Sequence, residues 1–388
     1  MSILFIVADA NLRGGTEILA FHLLHELNAS NHDCRLLSVK PYRGNDPMVI
    51  SFSENDYEKW LILQASPINK LFGSTRSDAF LCHLIAAIAE EFGAEWIINH
   101  TYDICSAIPT RGKIKTAQVF NWSIRGYETS LENLIRKKSV ISRWLSKVVL
   151  FSQQRRWHRS IPAFTRLVML TNSAYKEVKE ICPSVNDEQL ITIPDPLMQK
   201  EDSNVLTSLR NKKLVFVGRL SYEKGVMRLL RIWESIVKSL PDYTLKIYGT
   251  GDARKEMEAY IADHHISGVS FMGFCDNLKE IYSQADLLLM TSDSEGFGMV
   301  LIEAMYYGVP CISFDCPVAP GEIIAEAGVA IHCFDEERYA EEVIELLNNP
   351  AKMTDLQKKA IRRASEYYID KVLVKWHEMI EHHSETRC

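Results

Sequence analysis

LLLMTSDSEGFGMVLIEAM, residues 287–305, is the stretch whose reading decides the fold. Its first four residues, Leu287-Leu288-Leu289-Met290, are apolar without interruption, the pattern of a strand covered on both faces. A short polar loop follows, then Glu295 and Gly-Phe-Gly, then an apolar run of helical character. Strand, glycine turn and helix in that order predict one unit of a parallel sheet. The apolar run carries a single charge, Glu303. An unpaired buried charge costs on the order of several kcal/mol even after relaxation. Glu303 therefore reaches water, or the fold or a ligand satisfies it.

The same alternation extends in both directions. Strands are expected at 3–9, 34–40, 95–101, 115–121, 166–172 and 189–193 in the first half. In the second half they are expected at 214–218, 244–249, 269–272, 286–291, 309–314 and 329–333. The fold class is α/β, with two doubly wound Rossmann-like domains facing across a cleft. Pro194-Asp195-Pro196 closes the first, 1–197, and a polar linker occupies 198–211. The second domain is expected at 211–365, with a charged helix at about 366–388 packing back on the first. Ligands of such sheets bind beyond the carboxyl ends of the strands. Gly14-Gly15, His100, Asn121, Gly218-Arg219, Gly249-Thr250-Gly251, Gly273 and Glu295 all fall at those ends.

Bulk composition bounds the function. The chain has 388 residues, 47% hydrophobic and 24% charged, with a net charge of −6. That length allows two domains of ordinary size, and the charge argues against nucleic acid as a partner. The nine cysteines are scattered with no C-x-x-C pair, so free thiols in a reducing cytosol are expected rather than a zinc or disulfide framework. Residues 1–9 read as a first strand rather than a signal peptide. No run reaches the roughly 18 apolar residues of a membrane span.

The opening stretch also has a binding logic. Gly296 and Gly298 let a ligand approach the backbone, and the amides of 297–300 begin a helix. Unsatisfied amides at a helix N-terminus favour an anion such as phosphate. Carboxylates accept hydrogen bonds and so take hydroxyls. Hydroxyls, anion, hydroxyls is the order of a nucleotide diphosphate sugar. Glu303 is then expected to grip the ribose and Glu295 the sugar. Arg219 and Lys224 supply the cations that a departing diphosphate needs. The plainer alternatives are that Glu295 only favours the helix terminus, that Glu303 snorkels to solvent, and that Arg219 and Lys224 lie on a solvated loop. Gly249-Thr250-Gly251 lacks the third glycine of a dinucleotide fingerprint, which weakens a dehydrogenase reading.

With these residues in hand, the sequence resembles the family 4 retaining glycosyltransferases of the GT-B type. The family's E-x7-E motif stands as Glu295 to Glu303, its G-R-x-x-x-x-K-G motif as Gly218-Arg219 to Lys224-Gly225, and its glycine loop as Gly14-Gly15-Thr16-Glu17. The segment Asp315 to Ile324 looks like bacterial polysaccharide and lipopolysaccharide members. The resemblance implies transfer of a hexose or N-acetylhexosamine, with retention, from a UDP-sugar to a lipid-linked glycan or lipopolysaccharide-type acceptor. It implies that Arg219 and Lys224 hold the diphosphate, helped by the amides of Gly296, Phe297, Gly298, Met299 and Val300. It further implies that Gly273 and Phe274 meet the base, and that the Gly14-Gly15 loop lies near phosphates and acceptor. Many relatives carry a histidine where Asn121 stands, and His100 could approach the sugar instead. Neither cofactor nor metal is expected. A nucleotide-sugar epimerase on the same fold and a non-catalytic nucleotide-sugar-binding subunit are the rival readings.

Residues 125–166 hold ten Lys or Arg against two Glu, interleaved with Trp144, Trp157, Phe151 and aliphatics. A basic stretch of this kind suits an anionic membrane surface; the alternative is a solvated helix packed by its apolar face. The expectation is a cytoplasmic protein, peripheral at the inner face of the membrane.

Overall fold

The computed structural model describes residues 1–12, 14–65, 75–126, 140–198, 207–316 and 318–381. The chain forms two compact units, one of 1–194 with 373–388 and one of 195–372.

The first unit is built on seven strands: β1 (Ser2–Val7), β2 (Asp33–Ser38), β3 (Val49–Ser51), β4 (Trp96–Asn99), β5 (Lys115–Phe120), β6 (Arg166–Met169) and β7 (Leu190–Thr192). All pairings are parallel, in the order β3-β2-β1-β4-β5-β6-β7. Its helices are α1 (Gly15–Ala29), α2 (Glu54–Ala65), α3 (Thr75–Phe92), α4 (Val140–Ser160) and α5 (Ala174–Ile181). Ile3 to Val7 and Trp96 to Ile98 are fully buried, which is why these strands carry apolar residues on both faces.

The second unit has six parallel strands: β8 (Lys213–Val217), β9 (Thr244–Tyr248), β10 (Val269–Gly273), β11 (Leu287–Met290), β12 (Cys311–Phe314) and β13 (Gly328–Ile331). Their order is β10-β9-β8-β11-β12-β13. The helices are α6 (Val226–Ser239), α7 (Arg254–Asp263), α8 (Leu278–Tyr282), α9 (Met299–Tyr306), α10 (Pro320–Ile324), α11 (Glu336–Leu347) and α12 (Pro350–Ala364). A last helix, α13 (Ile369–Glu381), begins in this unit and continues into the first. In α6 the buried residues Val226, Leu229, Leu230, Trp233, Ile236 and Val237 recur at helical spacing, so one apolar stripe packs on the sheet. Trp233 Nε1 donates to Ser267 O at 2.9 Å, and the Tyr339 hydroxyl donates to Ile312 O at 2.8 Å. Both polar tips inside the core are thereby satisfied.

Each expected strand has its counterpart. The short edge strand β3 was not among them; three half-buried residues after the turn-rich Pro41 to Pro47 give too little pattern to read. The unit boundaries also differ from those expected. Leu197 N donates to Tyr367 O at 2.7 Å, so the chain joins the second unit at 195 rather than after 197. Thr207 N donates to Tyr307 O and Gln357 Nε2 to Thr207 O, which anchors residues before 211 there as well. Of the expected linker, 199–206 lie outside the described residues, as do 382–388 of the terminal helix.

Candidate functional site

Both sheets reverse direction beside their first strand. In the second unit the reversal falls between β8 and β11, and a crevice for ligands opens at such a point beyond the strand ends. The loop after β8 carries Arg219 and Lys224; the loop after β11 carries Ser292 and Glu295. The structure brings Lys224 and Glu295 together, with Nζ and Oε1 at 2.6 Å. Ser292 Oγ donates to the same oxygen at 2.6 Å. Glu295 is only 8% exposed, so its charge is compensated within the loops rather than by water. Lys224, expected at the phosphates, and Glu295, expected at the sugar, form one ion pair. Arg219 stays exposed, its nearest carboxylate Glu223 at 3.8 Å.

Close backbone approach makes the pairing possible. Gly225 has φ +64°, and a Cβ there would lie 1.8 Å from Thr291 O. Only glycine lets the start of α6 touch the end of β11. Arg228, one turn into α6, ties the loops further: it donates to Thr291 O at 2.9 Å and to Asp293 Oδ1 at 2.7 Å. Its guanidinium also lies 4.0 Å from the Phe334 ring.

Gly298, φ +97°, is the N-cap of helix α9. Among the described residues, the amides of Gly296, Phe297 and Gly298 donate to no protein acceptor. Phe297 contributes only that amide, since its ring is buried edge-on against Tyr367 at 5.6 Å. Met299 and Val300 are half-buried in the first turn. Glu303 is the one charged residue of a helix whose neighbours Leu301, Ile302, Ala304, Met305 and Tyr306 are buried. Among the described residues its side chain has one hydrogen-bond partner, the Tyr282 hydroxyl at 3.5 Å, the limit of a hydrogen bond. Burial raises its pKa to about 7, while some of the side chain remains accessible. Neither snorkelling to bulk water nor an internal partner accounts for it. Phe274, after the edge strand β10, is 77% exposed. Tyr282, Ser292 and Arg228 were not singled out from the sequence; none stands in a pattern that separates it from ordinary core and surface residues.

The first unit reverses between β1 and β4. Gly14 caps α1, and a Cβ on Gly15 would meet nothing within 4 Å, leaving that face of the loop open. Thr16, Glu17, His100, Asn121 and Trp122 are among the walls of a cavity of ≈ 240 Å³. His100 is 4% exposed; its ring lies beside the Asn121 side chain, but neither ring nitrogen reaches hydrogen-bonding geometry among the described residues. Burial lowers its pKa to about 4, so the ring is neutral near pH 7. Asn121 Nδ2 donates to His100 O at 2.9 Å, and its buried Oδ1 has no hydrogen-bond partner among the described residues. Asn99 Nδ2 donates to Gln118 Oε1 at 2.7 Å, fixing the two strand ends that deliver these residues. Behind the wall, Glu177 fixes the segment after Trp122 by accepting from Ser123 Oγ, Ile124 N and Arg125 N at 2.7–3.0 Å.

The two sheets share one strand order apart from the seventh strand of the first, and the second holds an ion pair and a desolvated carboxylate at its switch point. Residues 198–364 match the family model described as glycosyl transferases group 1. That match covers most of the second unit. It is 29% identical over 172 residues to the amylovoran biosynthesis glycosyltransferase AmsD of Erwinia amylovora, covering 44% of this chain and 48% of AmsD. The chain spans about half the length of the curated relatives it matches first. Among solved structures it resembles WaaG, a glycosyltransferase involved in lipopolysaccharide biosynthesis, with a TM-score of 0.69 and 18% identity over 98% and 99% of the two chains. It also resembles Anabaena Alr3699/HepE in complex with UDP, with a TM-score of 0.69 and 15% identity over 99% and 100%. The fold is the GT-B fold of two Rossmann-like domains.

The basic stretch divides. Residues 127–139 lie outside the described residues. In α4, Trp157 is buried and donates to Asp103 O at 3.1 Å, and Arg156 pairs with Asp78 at 3.1 Å. These two serve the interior, a correction to the reading of the whole stretch as one interfacial face. Phe151, 61% exposed, lies under Arg155. Among the described residues no helix is long and apolar enough to cross a membrane, and all eight described cysteines are free thiols.

Proposed function

We propose that this protein is a retaining, metal-independent glycosyltransferase. It moves a hexose or N-acetylhexosamine from a UDP-sugar to a lipid-linked or lipopolysaccharide-type glycan in bacterial surface-polysaccharide synthesis. The observation that carries the reading is Glu303: a desolvated carboxylate with one marginal partner, one turn from free amides at the head of its helix. A ribose diol would supply the missing donors while the amides seat the diphosphate. Lys224 and Arg219 would neutralise the charge that develops on the leaving group. The anomeric carbon–phosphate oxygen bond breaks, the bond to the acceptor oxygen forms on the same face, and a phosphate oxygen of the departing diphosphate takes the acceptor proton. Glu295, held by Lys224 and Ser292, would face the sugar near the reacting carbon. His100, neutral in its cavity, and Asn121 would meet uncharged groups of sugar or acceptor. Phe274 would contribute next to the base.

The AmsD and WaaG names favour a polysaccharide or lipopolysaccharide acceptor, and the HepE complex favours UDP. The epimerase alternative gains nothing from these relatives. Membrane contact, through Lys147, Phe151, Arg155 and Arg159 on the accessible side of α4, stays part of the proposal; a cytoplasmic location would follow from it. Flotation with anionic and neutral vesicles tests that part, equal recovery counting against it. The test of the activity is a donor screen with a lipid-linked oligosaccharide acceptor, read by mass spectrometry. A mass gain of one hexose or N-acetylhexosamine with UDP release is expected. Donor turnover without acceptor, leaving an isomerised nucleotide sugar, would contradict it.

A further inference from the structure

Away from both switch points, three metal-ligating side chains meet within the first unit. His32 lies in the turn between α1 and β2; His377 and Glu381 are one turn apart on α13. His32 Nε2 and His377 Nδ1 face each other at 3.0 Å, and His377 Nδ1 lies 3.8 Å from Glu381 Oε1. One ligand atom from each of the three falls within 4.8 Å of the others. The two imidazoles are tilted by 31° with centroids 5.0 Å apart, so they meet through ring nitrogens rather than stacked faces.

We propose that His32, His377 and Glu381 bind a first-row divalent cation of the zinc type, which clips the C-terminal half of α13 to the turn before β2. The donor set fits. Two imidazole nitrogens and a carboxylate are a known zinc set that leaves a fourth position for water. Zinc–nitrogen bonds of about 2.0–2.1 Å in a tetrahedron place neighbouring donors roughly 3.3 Å apart, between the two separations seen. Without a metal, one of the facing nitrogens must carry a proton, because two lone pairs repel. With a metal, both lone pairs point to the same cation and each proton moves to the other ring nitrogen. Magnesium and calcium, which favour all-oxygen ligands, do not suit the site. The i, i+4 spacing of His377 and Glu381 puts both ligands on one face of α13, and His32 comes from a separate element, so the cation cross-links rather than decorates. The cation would not touch the transfer chemistry.

The test uses the full chain, first stripped with a chelator. Zinc at about a hundredfold over its dissociation constant should raise Tm by several degrees. Cobalt(II) should give the intense visible bands of a tetrahedral site. His32→Gln keeps a hydrogen-bonding side chain opposite His377. It should leave the metal-free Tm within a degree of the wild type, abolish the cobalt bands and weaken zinc at least about tenfold. Glu381→Gln should weaken zinc with the fold intact. The sequence also carries His382 and His383, which make His32→Gln the deciding variant. Full zinc affinity and unchanged cobalt bands in that variant would assign binding to the tail and overturn the proposal. So would a metal-free chain whose Tm is indifferent to zinc and cobalt.

Discussion

The first sheet turns back between β1 and β4 and the second between β8 and β11, yet the residues delivered to the two places differ in kind. At the first, His100 and Asn121 are uncharged and short of hydrogen-bond partners among the described residues, with the carboxyl of Glu17 in the same wall. At the second, charges are paired, Lys224 with Glu295 and Arg228 with Asp293, and a single carboxylate, Glu303, is left over. One scaffold thus carries two electrostatic designs. A neutral, desolvated wall suits hydroxyls and an uncharged reacting centre; a braced set of charges with free amides suits an anion that must be held and then released. Burial shifts His100 and Glu303 in directions that have opposite consequences for pH dependence.

The largest expected effect tests the charged design. Lys224→Ala leaves Glu295 buried without its cation and should cut UDP-sugar turnover by about 10²–10³-fold. Lys224→Ala with Glu295→Gln removes the stranded charge, so melting temperature should recover while turnover does not. Recovery of both would mean the pair is architectural.

The next effects set the two places against each other. His100 has a folded pKa of about 4 against an ordinary 6.5, so the unfolded chain takes up the proton first. It makes the fold lose stability as pH falls from about 6.5 to about 4, by up to roughly 3 kcal/mol. His100→Leu should flatten that slope in chemical unfolding, keep UDP affinity within about twofold and lower turnover about tenfold or more. Glu303 has a folded pKa of about 7 against 4.5, so here the folded chain holds the proton longer. It makes the fold lose stability as pH rises from about 4.5 to about 7, by a similar amount at most. Glu303→Gln should remove that loss and weaken UDP. Slopes of the same sign in both variants would break the comparison. The smallest effect is an expected absence of one: excess EDTA at 25 °C should leave turnover nearly unchanged, and loss restored by magnesium would move a metal into the second site.

Much of this design can be read before folding. Continuous apolar runs such as Leu287 to Met290 mark buried parallel strands because both faces are covered, and strand ends then locate the loops that carry glycine and charge. What stays hidden is pairing across those loops. Lys224 and Glu295 are 71 residues apart, and nothing in either neighbourhood says they meet; the close approach at Gly225, set by the Thr291 carbonyl, decides it. Tyr282 as the hydrogen-bond partner of Glu303, and Glu177 as the acceptor for Ser123 to Arg125, are equally invisible, since each acts from an element remote in sequence. Trp157 shows the reverse error: a tryptophan among basic residues reads as interfacial, but its indole faces the interior and donates to Asp103. The three-residue β3 escaped because period and length are both below what a pattern needs.

The most direct test of the central claim is calorimetric titration of UDP into the wild type and Glu303→Gln at pH 7, each in two buffers of different ionisation enthalpy. Ribose hydroxyls that donate to Glu303 stabilise its charged form and push its pKa down from about 7. UDP binding to the wild type should therefore release protons to the buffer. The variant should bind at least about tenfold more weakly, without that part of the release. Equal affinity and equal proton release in the two proteins would show that the nucleotide does not meet Glu303, and the account of the second site would not stand.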